Sequence, residues 1–389
     1  MSEFIALPVG QGDAFYLKRD NLSILVDGGK NRRGFSAMFK NTTGESHADI
    51  VVCTHNDADH VNGIIGFLED GLSCKEIWLP GTWLDALPGV LKSLPEVIEQ
   101  VYEYLSEEDA ITIEEMEDDI SSEHSHSDEA RRRRESFNTI IPEETRKFSW
   151  PREFSDALEN AEDWSENNFI NWAYHHYFAP IYYNKKASSL IAAASKIRKI
   201  ALLAYHNGIT VRWFEFFPQM PSGGCTELRP LNSKQMTRVK PRANPRYIHY
   251  VALSASNKRS LVFLSPGDKT VPDVLFNADS DLAGIASVSL APHSLVTAPH
   301  HGSDSNGAVY RLVESWAQAN PSTFNWIRSD GAFRKRPCKA YLNARGRKFC
   351  TLCRPAPGGA QMLKQTVRFS AASHGVWAEA STVLSCSCK

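Results

Sequence analysis

Residues 48-ADIVVCT-54 make a β-type run that passes without a break into 55-HNDADH-60. A run of this kind suits a strand buried on both faces, as in a parallel sheet covered by helices. Two histidines and two aspartates then crowd into six residues at its carboxyl end. They are followed by 60-HVNGIIGFLEDG-71, whose apolar spacing is helical and which stops at glycine. The short apolar stretch 76-EIWLP-80 reads as the next strand. Strand, loop, helix and strand define an α/β unit, and the carboxyl edge of such a sheet is where functional side chains collect.

Other segments extend the pattern. Residues 4-FIALPVGQGDAFYLKRDNLSILVDGG-29 read as two short strands joined by a Lys-Arg-Asp-Asn turn. Residues 187–208 form a helix with an Asn-Gly end, leading into the strand 209-ITVRWFEFF-217. Three further β-runs are 247-YIHYVALSA-255, 260-SLVFLS-265 and 294-SLVTAP-299. Three β-runs therefore end in candidate ligands: Thr54 into His55–His60, Ser265 into Asp268, and Pro299 into His300 and His301. Histidine nitrogens and carboxylates from one edge can surround one or two divalent ions, and a lone aspartate between two histidine clusters suits a ligand shared by both.

In order along the chain stand Gly10-Gln11-Gly12-Asp13, Asp27-Gly28-Gly29, His55-x-Asp57-x-Asp59-His60, Ser265-Pro266-Gly267-Asp268 and Pro299-His300-His301-Gly302-Ser303. This series resembles the metallo-β-lactamase fold, whose usual loop is H-x-H-x-D-H. More narrowly it resembles the soluble hydrolase domain of ComEC-type DNA-uptake proteins, in which the second histidine of that loop is an aspartate. The resemblance spans residues 1–80 and 200–306 and leaves out the middle and the tail. It implies a four-layer αβ/βα sandwich over residues 1–310, interrupted by a mainly helical acidic insertion at 85–185 and followed by a basic extension, 311–389. It assigns His55 and Asp57 to one metal, Asp59 and His60 to the other, Asp268 as the bridge, and His301 as the last ligand of the second. His300 is then placed near the substrate, and Asp27 orients the histidine loop. The family's further histidine has no clean match; His206 and His249 are the positions open to it.

Two ions about 3.5–4 Å apart share and activate a hydroxide and clamp both oxygens of a phosphoryl transfer. Asp59 is the residue expected to orient that hydroxide. An aspartate at position 57 hardens the first position, so the two divalent ions are expected to be zinc or manganese, with magnesium as a third option. The resulting expectation is a metal-dependent phosphodiesterase, a nuclease acting on DNA. Two alternatives stand beside it: a hydrolase of a small phosphoester, nucleotide or lactone, and a metal-stabilised non-catalytic subunit of a larger complex.

Charge and cysteine usage set the partners. The net charge is −2, but acidic residues dominate from Glu99 to Glu166, while Leu228–Ser260 has eight basic residues and no acid. The tail from Arg328 to Arg368 has Asp330 as its only acid. Such basic stretches can neutralise phosphates, with Trp326, Phe333, Tyr341 and Phe349 as candidates to stack on bases. The insertion, with Arg131–Arg134 and the acidic run 106–130, is a candidate protein-binding segment and a cover for the basic groove. His124 with His126, and His175 with His176, read more simply as solvated and packing residues. Cys350-x-x-Cys353, with Cys338 upstream and Cys386-x-Cys388 at the end, is a candidate structural zinc set, free thiols being the alternative. Neither a signal peptide nor a run of roughly 18 apolar residues is present, so a cytoplasmic protein without membrane contact is expected.

Overall fold

The computed structural model describes residues 2–92, 96–97, 158, 185–237, 253, 258–268, 270–329, 336–353, 363–372 and 375–388. They belong to two compact units, one of residues 1–80, 214–235 and 257–389, the other of residues 81–213 and 236–256.

The first unit is mixed α/β. It opens with β1 (Glu3–Ala6), β2 (Phe15–Arg19) and β3 (Leu22–Val26), followed by α1 (Phe35–Thr43), β4 (His47–Val52), α2 (Ala58–Glu69) and β5 (Ser73–Pro80). In the second unit α3 (Trp83–Lys92) packs against α4 (Lys185–His206). The chain re-enters the first unit within β6 (Thr210–Phe216) and continues with β7 (Arg229–Pro230), β8 (Ser233–Gln235), β9 (Phe263–Ser265), β10 (Val274–Phe276) and β11 (Leu295–Thr297). Then come α5 (Gly307–Ser315), β12 (Asn325–Arg328), α6 (Lys339–Asn343), β13 (Arg347–Cys350), β14 (Leu352–Cys353), β15 (Leu363–Lys364), β16 (Val367–Ala372) and β17 (Val376–Glu379).

Two sheets carry the unit. One has the order β17-β16-β1-β2-β3-β4-β5-β6-β8, the other β13-β12-β11-β10-β9-β7. Alternation along each strand decides what lies between them. Phe4, Phe15, Leu17, Ile24, Val26, Ile50 and Val52 from the first sheet join Val274, Phe276, Leu295, Ile327 and Phe349 from the second in one buried cluster. The intervening residues point outward. Tyr16 meets Phe39 of α1, which in turn meets Phe67 of α2. Leu275, Val296 and Trp326 cluster with Val309, Tyr310 and Val313 of α5 and Tyr341 of α6. Strict period-two patterning of this kind is what two helix-covered sheets packed face to face require.

The middle of each sheet is parallel: β3, β4 and β5 in the first, β10 through β13 in the second. The carboxyl ends of β3, β4, β10, β11 and β12 therefore gather the loops that carry the polar residues described below.

Several expectations shift. Residues 4–29 hold three strands, not two, because Gly10 and Gly12 take positive φ angles of 86° and 91° and turn the chain back between β1 and β2. The helix expected from residue 60 begins at Ala58. The tail beyond 310 is no appendage: β12 and β13 complete the second sheet, and β16 pairs with β1 in the first. Trp326, Tyr341 and Phe349 are each 0% exposed and hold the core, so they cannot stack on bases. Phe333, the strand expected at 247–255 apart from Leu253, His249, the histidines at 124, 126, 175 and 176, the arginines at 131–134 and most of the 85–185 insertion lie outside the described residues. Among the described residues no helix is long and apolar enough to cross a membrane.

Candidate metal centre

Backbone packing builds the site first. Residue 12 must be glycine: a Cβ there would sit 1.7 Å from the Asp59 carbonyl oxygen. That closeness lets Asp13 N–H donate to Asp59 O, while Gly28 N–H donates to His60 O. The loop after β1 and the loop after β3 thereby grip the start of α2. On the other sheet, His300 N–H donates to Ala278 O, tying the ends of β10 and β11 together. His300 and His301 both occupy the left-handed region, with φ of 45° and 55°, as do Asp27 at 58° and Ala278 at 47°. Such backbone costs about 1–3 kcal/mol per residue and persists where the surroundings over-determine it, most often at functional sites.

The histidine rings follow one rule. Thr54 Oγ1 donates to Asp27 Oδ2 and lies 3.0 Å from His55 Nδ1, so it accepts from that nitrogen. His60 Nδ1 lies 2.8 Å from Asp27 Oδ2. His301 Nδ1 is 3.0 Å from Asp13 Oδ1 and 3.1 Å from the Ser329 carbonyl. Each Nδ1 has an acceptor on its outer side, so the three Nε2 atoms are the ones turned inward, and they offer their lone pairs there in the neutral imidazole. Asp27 thus meets both the Thr54 hydroxyl and the His60 ring.

What the Nε2 atoms face is Asp279. Its Oδ1 is 3.2 Å from His60 Nε2 and 3.7 Å from His301 Nε2. Its Oδ2 is 3.7 Å from His55 Nε2 and 3.5 Å from His300 Nε2. Asp59 Oδ2 lies 3.6 Å from His301 Nε2, and Asp57 Oδ2 lies 3.8 Å from His55 Nε2. The ring nitrogens of His60 and His301 are only 3.1 Å apart. Asp13, His60, Asp279 and His301 are grouped so that they can hold a metal ion, and His55, Asp57 and Asp279 form a second group of the same kind.

The electrostatics favour a cation. Burial alone depresses the basicity of His60, yet the Asp279 and Asp27 carboxylates hold it well above the ordinary imidazole value. His301 is likewise buried, and Asp13 and Asp279 raise it to about 9. His55 moves the other way, lowered by burial and by His60. Asp279 is fully buried but is kept well below the carboxylate range by His60 and His301. Asp59 resists its burial for the same reason and stays ionised. Asp13 is raised by burial, which the His301 ring only partly offsets. His55 Nε2 and Asp13 Oδ2 are buried without a hydrogen-bond partner. Each such orphan costs about 1–3 kcal/mol, more when charged, and positive charge placed among them removes that cost.

Asp268, expected as the bridge, is elsewhere. It is exposed and caps its own turn, accepting from Thr270 N, Thr270 Oγ1 and Val271 N. The bridging geometry belongs to Asp279, three residues past β10. The same signal used for the other edges, an apolar run leading into a candidate ligand (274-VLFNAD-279), marks it. Asp13 was visible in its Gly-rich motif but carried no role. His206 ends α4 in the second unit and is not among these residues. Cys350, Cys353, Cys386 and Cys388 do converge, whereas Cys338 does not: its sulfur accepts from Tyr341 N at the start of α6.

No family model matches the chain, and no curated protein matches it. Function is therefore read from the centre itself.

Proposed function

We propose that this chain is a metal-dependent phosphodiesterase of the metallo-β-lactamase type, a four-layer αβ/βα sandwich whose substrate is nucleic acid, DNA foremost. The observation that carries the reading is the Asp279 carboxylate, with one oxygen toward His60 and His301 and the other toward His55. His55 and Asp57 with Asp279 Oδ2 would hold one divalent ion; Asp59, His60 and His301 with Asp279 Oδ1 would hold the other. Mixed imidazole and carboxylate donors suit zinc or manganese, and magnesium less well. When bound, such a pair supplies a nucleophile at neutral pH and offsets the charge that develops in phosphoryl transfer.

The remaining tasks fall to the protein. Asp13, Asp27 and Thr54 keep three imidazoles in the tautomer that presents Nε2. Asp59, ionised despite its burial, can accept a hydrogen bond from the attacking water and orient it. His300 sits at the lip of the centre with its side chain 23% exposed. Its Nδ1 is held by Ser305 Oγ at 3.2 Å and Asn306 Oδ1 at 3.3 Å, so the ring is oriented toward an incoming phosphate or leaving group. Arg229 and Lys258, both exposed and in the acid-poor stretch, can neutralise phosphates along a strand.

The test is cleavage of labelled linear and circular DNA by the purified chain with Mn²⁺, Mg²⁺ or Zn²⁺. Asp279→Ala should reduce cutting to background, while Asp268→Ala should cut like the parent. Equal activity of parent and Asp279→Ala would sink the reading. Stoichiometric metal binding without cutting would redirect it to a small phosphoester or lactone, or to a non-catalytic subunit.

A further inference from the structure

Outside this centre, a second set of metal-binding side chains is assembled from the end of the chain. Cys350 closes β13, Cys353 closes β14, and Cys386 and Cys388 arrive from the last residues. Cys350 Sγ lies 2.9 Å from Cys386 Sγ, and Cys353 Sγ lies 3.8 Å from Cys386 Sγ and 3.4 Å from Cys388 Sγ. All four sulfurs lie within 4.8 Å of one another. A tetrahedral zinc with Zn–S bonds of about 2.3 Å places neighbouring sulfurs about 3.8 Å apart, close to this spread. The surroundings are donors. Arg328 Nε points at Cys350 Sγ, an Arg328 NH₂ group at Cys388 Sγ, and Ser387 N–H at Cys353 Sγ, the last at 3.1 Å. Tyr341 Oη stands 3.6 Å from Cys350 Sγ. Neutral thiols are weak acceptors, whereas thiolates are strong ones, so this arrangement of N–H groups fits charged sulfur.

We propose that Cys350, Cys353, Cys386 and Cys388 bind one zinc ion as a structural Cys₄ site that fastens the end of the chain to the second sheet. Binding releases the four thiol protons and leaves a complex of charge −2, which the buried guanidinium of Arg328 partly balances. Arg328 is also the partner of the Leu352 carbonyl and lies under Gly302, whose added Cβ would meet Arg328 Cδ at 3.0 Å. The site is therefore built into the same strand end that presents Ser329 O to His301. It makes no demand on the reaction, and it stands or falls independently of the function proposed above.

Zinc is counted by elemental analysis in the full chain carrying Asp279→Ala, so that the histidine–aspartate centre contributes little. One equivalent should remain, and an organomercurial that titrates thiolates should release it. Cobalt-loaded parent protein should show thiolate-to-cobalt charge-transfer absorption in the near ultraviolet, absent from the Cys353→Ser Cys388→Ser double variant. That variant's failure to fold would leave the cobalt spectrum of the parent to decide. Absence of that absorption overturns the proposal. So does rapid reaction of all four thiols in the metal-replete protein, or an intact mass showing them paired as disulfides.

Discussion

At the scale of single residues, the centre depends on side chains that never touch its middle. The Asp13 carboxylate meets the outer nitrogen of His301, and so decides which nitrogen of that ring faces inward. Partners of this kind are worth about 10–100-fold in metal affinity or activity. Asp13→Ala should therefore weaken metal binding by about that factor while the fold persists, and isothermal titration beside a thermal melt distinguishes the two. Unchanged affinity would demote Asp13 to packing. The histidine loop is legible in the sequence because His55, Asp57, Asp59 and His60 are contiguous. Asp13 and His301 are 288 positions apart, and only the closure of one sheet over the other makes them neighbours. Asp268 misleads for a local reason: a Gly-Asp pair after a strand serves equally well as a turn cap, which is its role here.

At the scale of elements, burial of β4 between β3 and β5 brings in one acid that the apolar pattern does not explain. Asp49 accepts from Ser23 N at 2.7 Å and Ser23 Oγ at 2.8 Å, and pairs with Lys75 of β5 at 2.6 Å. Burial works against its charge, but Lys75 and Ser23 prevail and lower the carboxyl to about 2 from an ordinary 3.8. A folded value below the unfolded one means stability that is present above pH of about 4 and lost as pH falls toward about 2. Asp49→Asn should destabilise the protein at neutral pH by about 1–3 kcal/mol, the worth of hydrogen bonds to a charged group. It should also flatten the loss of stability between pH of about 4 and 2, read by denaturant titration at stepped pH. An unchanged acid slope would assign that slope to other carboxylates. Element-level legibility follows length. β4, α2 and α4 are readable from their runs, whereas β10 is three residues long, too short for a period to register, and a left-handed Ala278 follows it.

At the scale of the whole molecule, the two sheets close only because the last segment of the chain returns to the first. β16 lies antiparallel to β1, with Glu3 opposite Ser370 and Ala6 opposite Val367, and β17 lies beyond it. Val367, Phe369, Trp377 and Val383 enter the cluster between the sheets. At about 1.5–3 kcal/mol for each buried side chain they contribute about 6–12 kcal/mol, comparable with the roughly 5–15 kcal/mol net stability of a domain. A basic, cysteine-bearing tail reads from composition as an appendage, since strands this short carry little periodicity and their partners sit at the other end of the sequence. The sheet register argues the reverse, and truncation separates the two views. A stop after Leu384 removes Cys386 and Cys388 but leaves both sheets intact, so the protein should remain soluble and keep its circular-dichroism spectrum while losing one metal. A stop after Leu352 removes β16 and β17 as well, uncovering Phe4, Ala6 and Phe349 along one end of the core. That shorter chain should be insoluble or unfolded at 25 °C, and recovery of a cooperative thermal transition from it would show that the tail is dispensable to the sandwich.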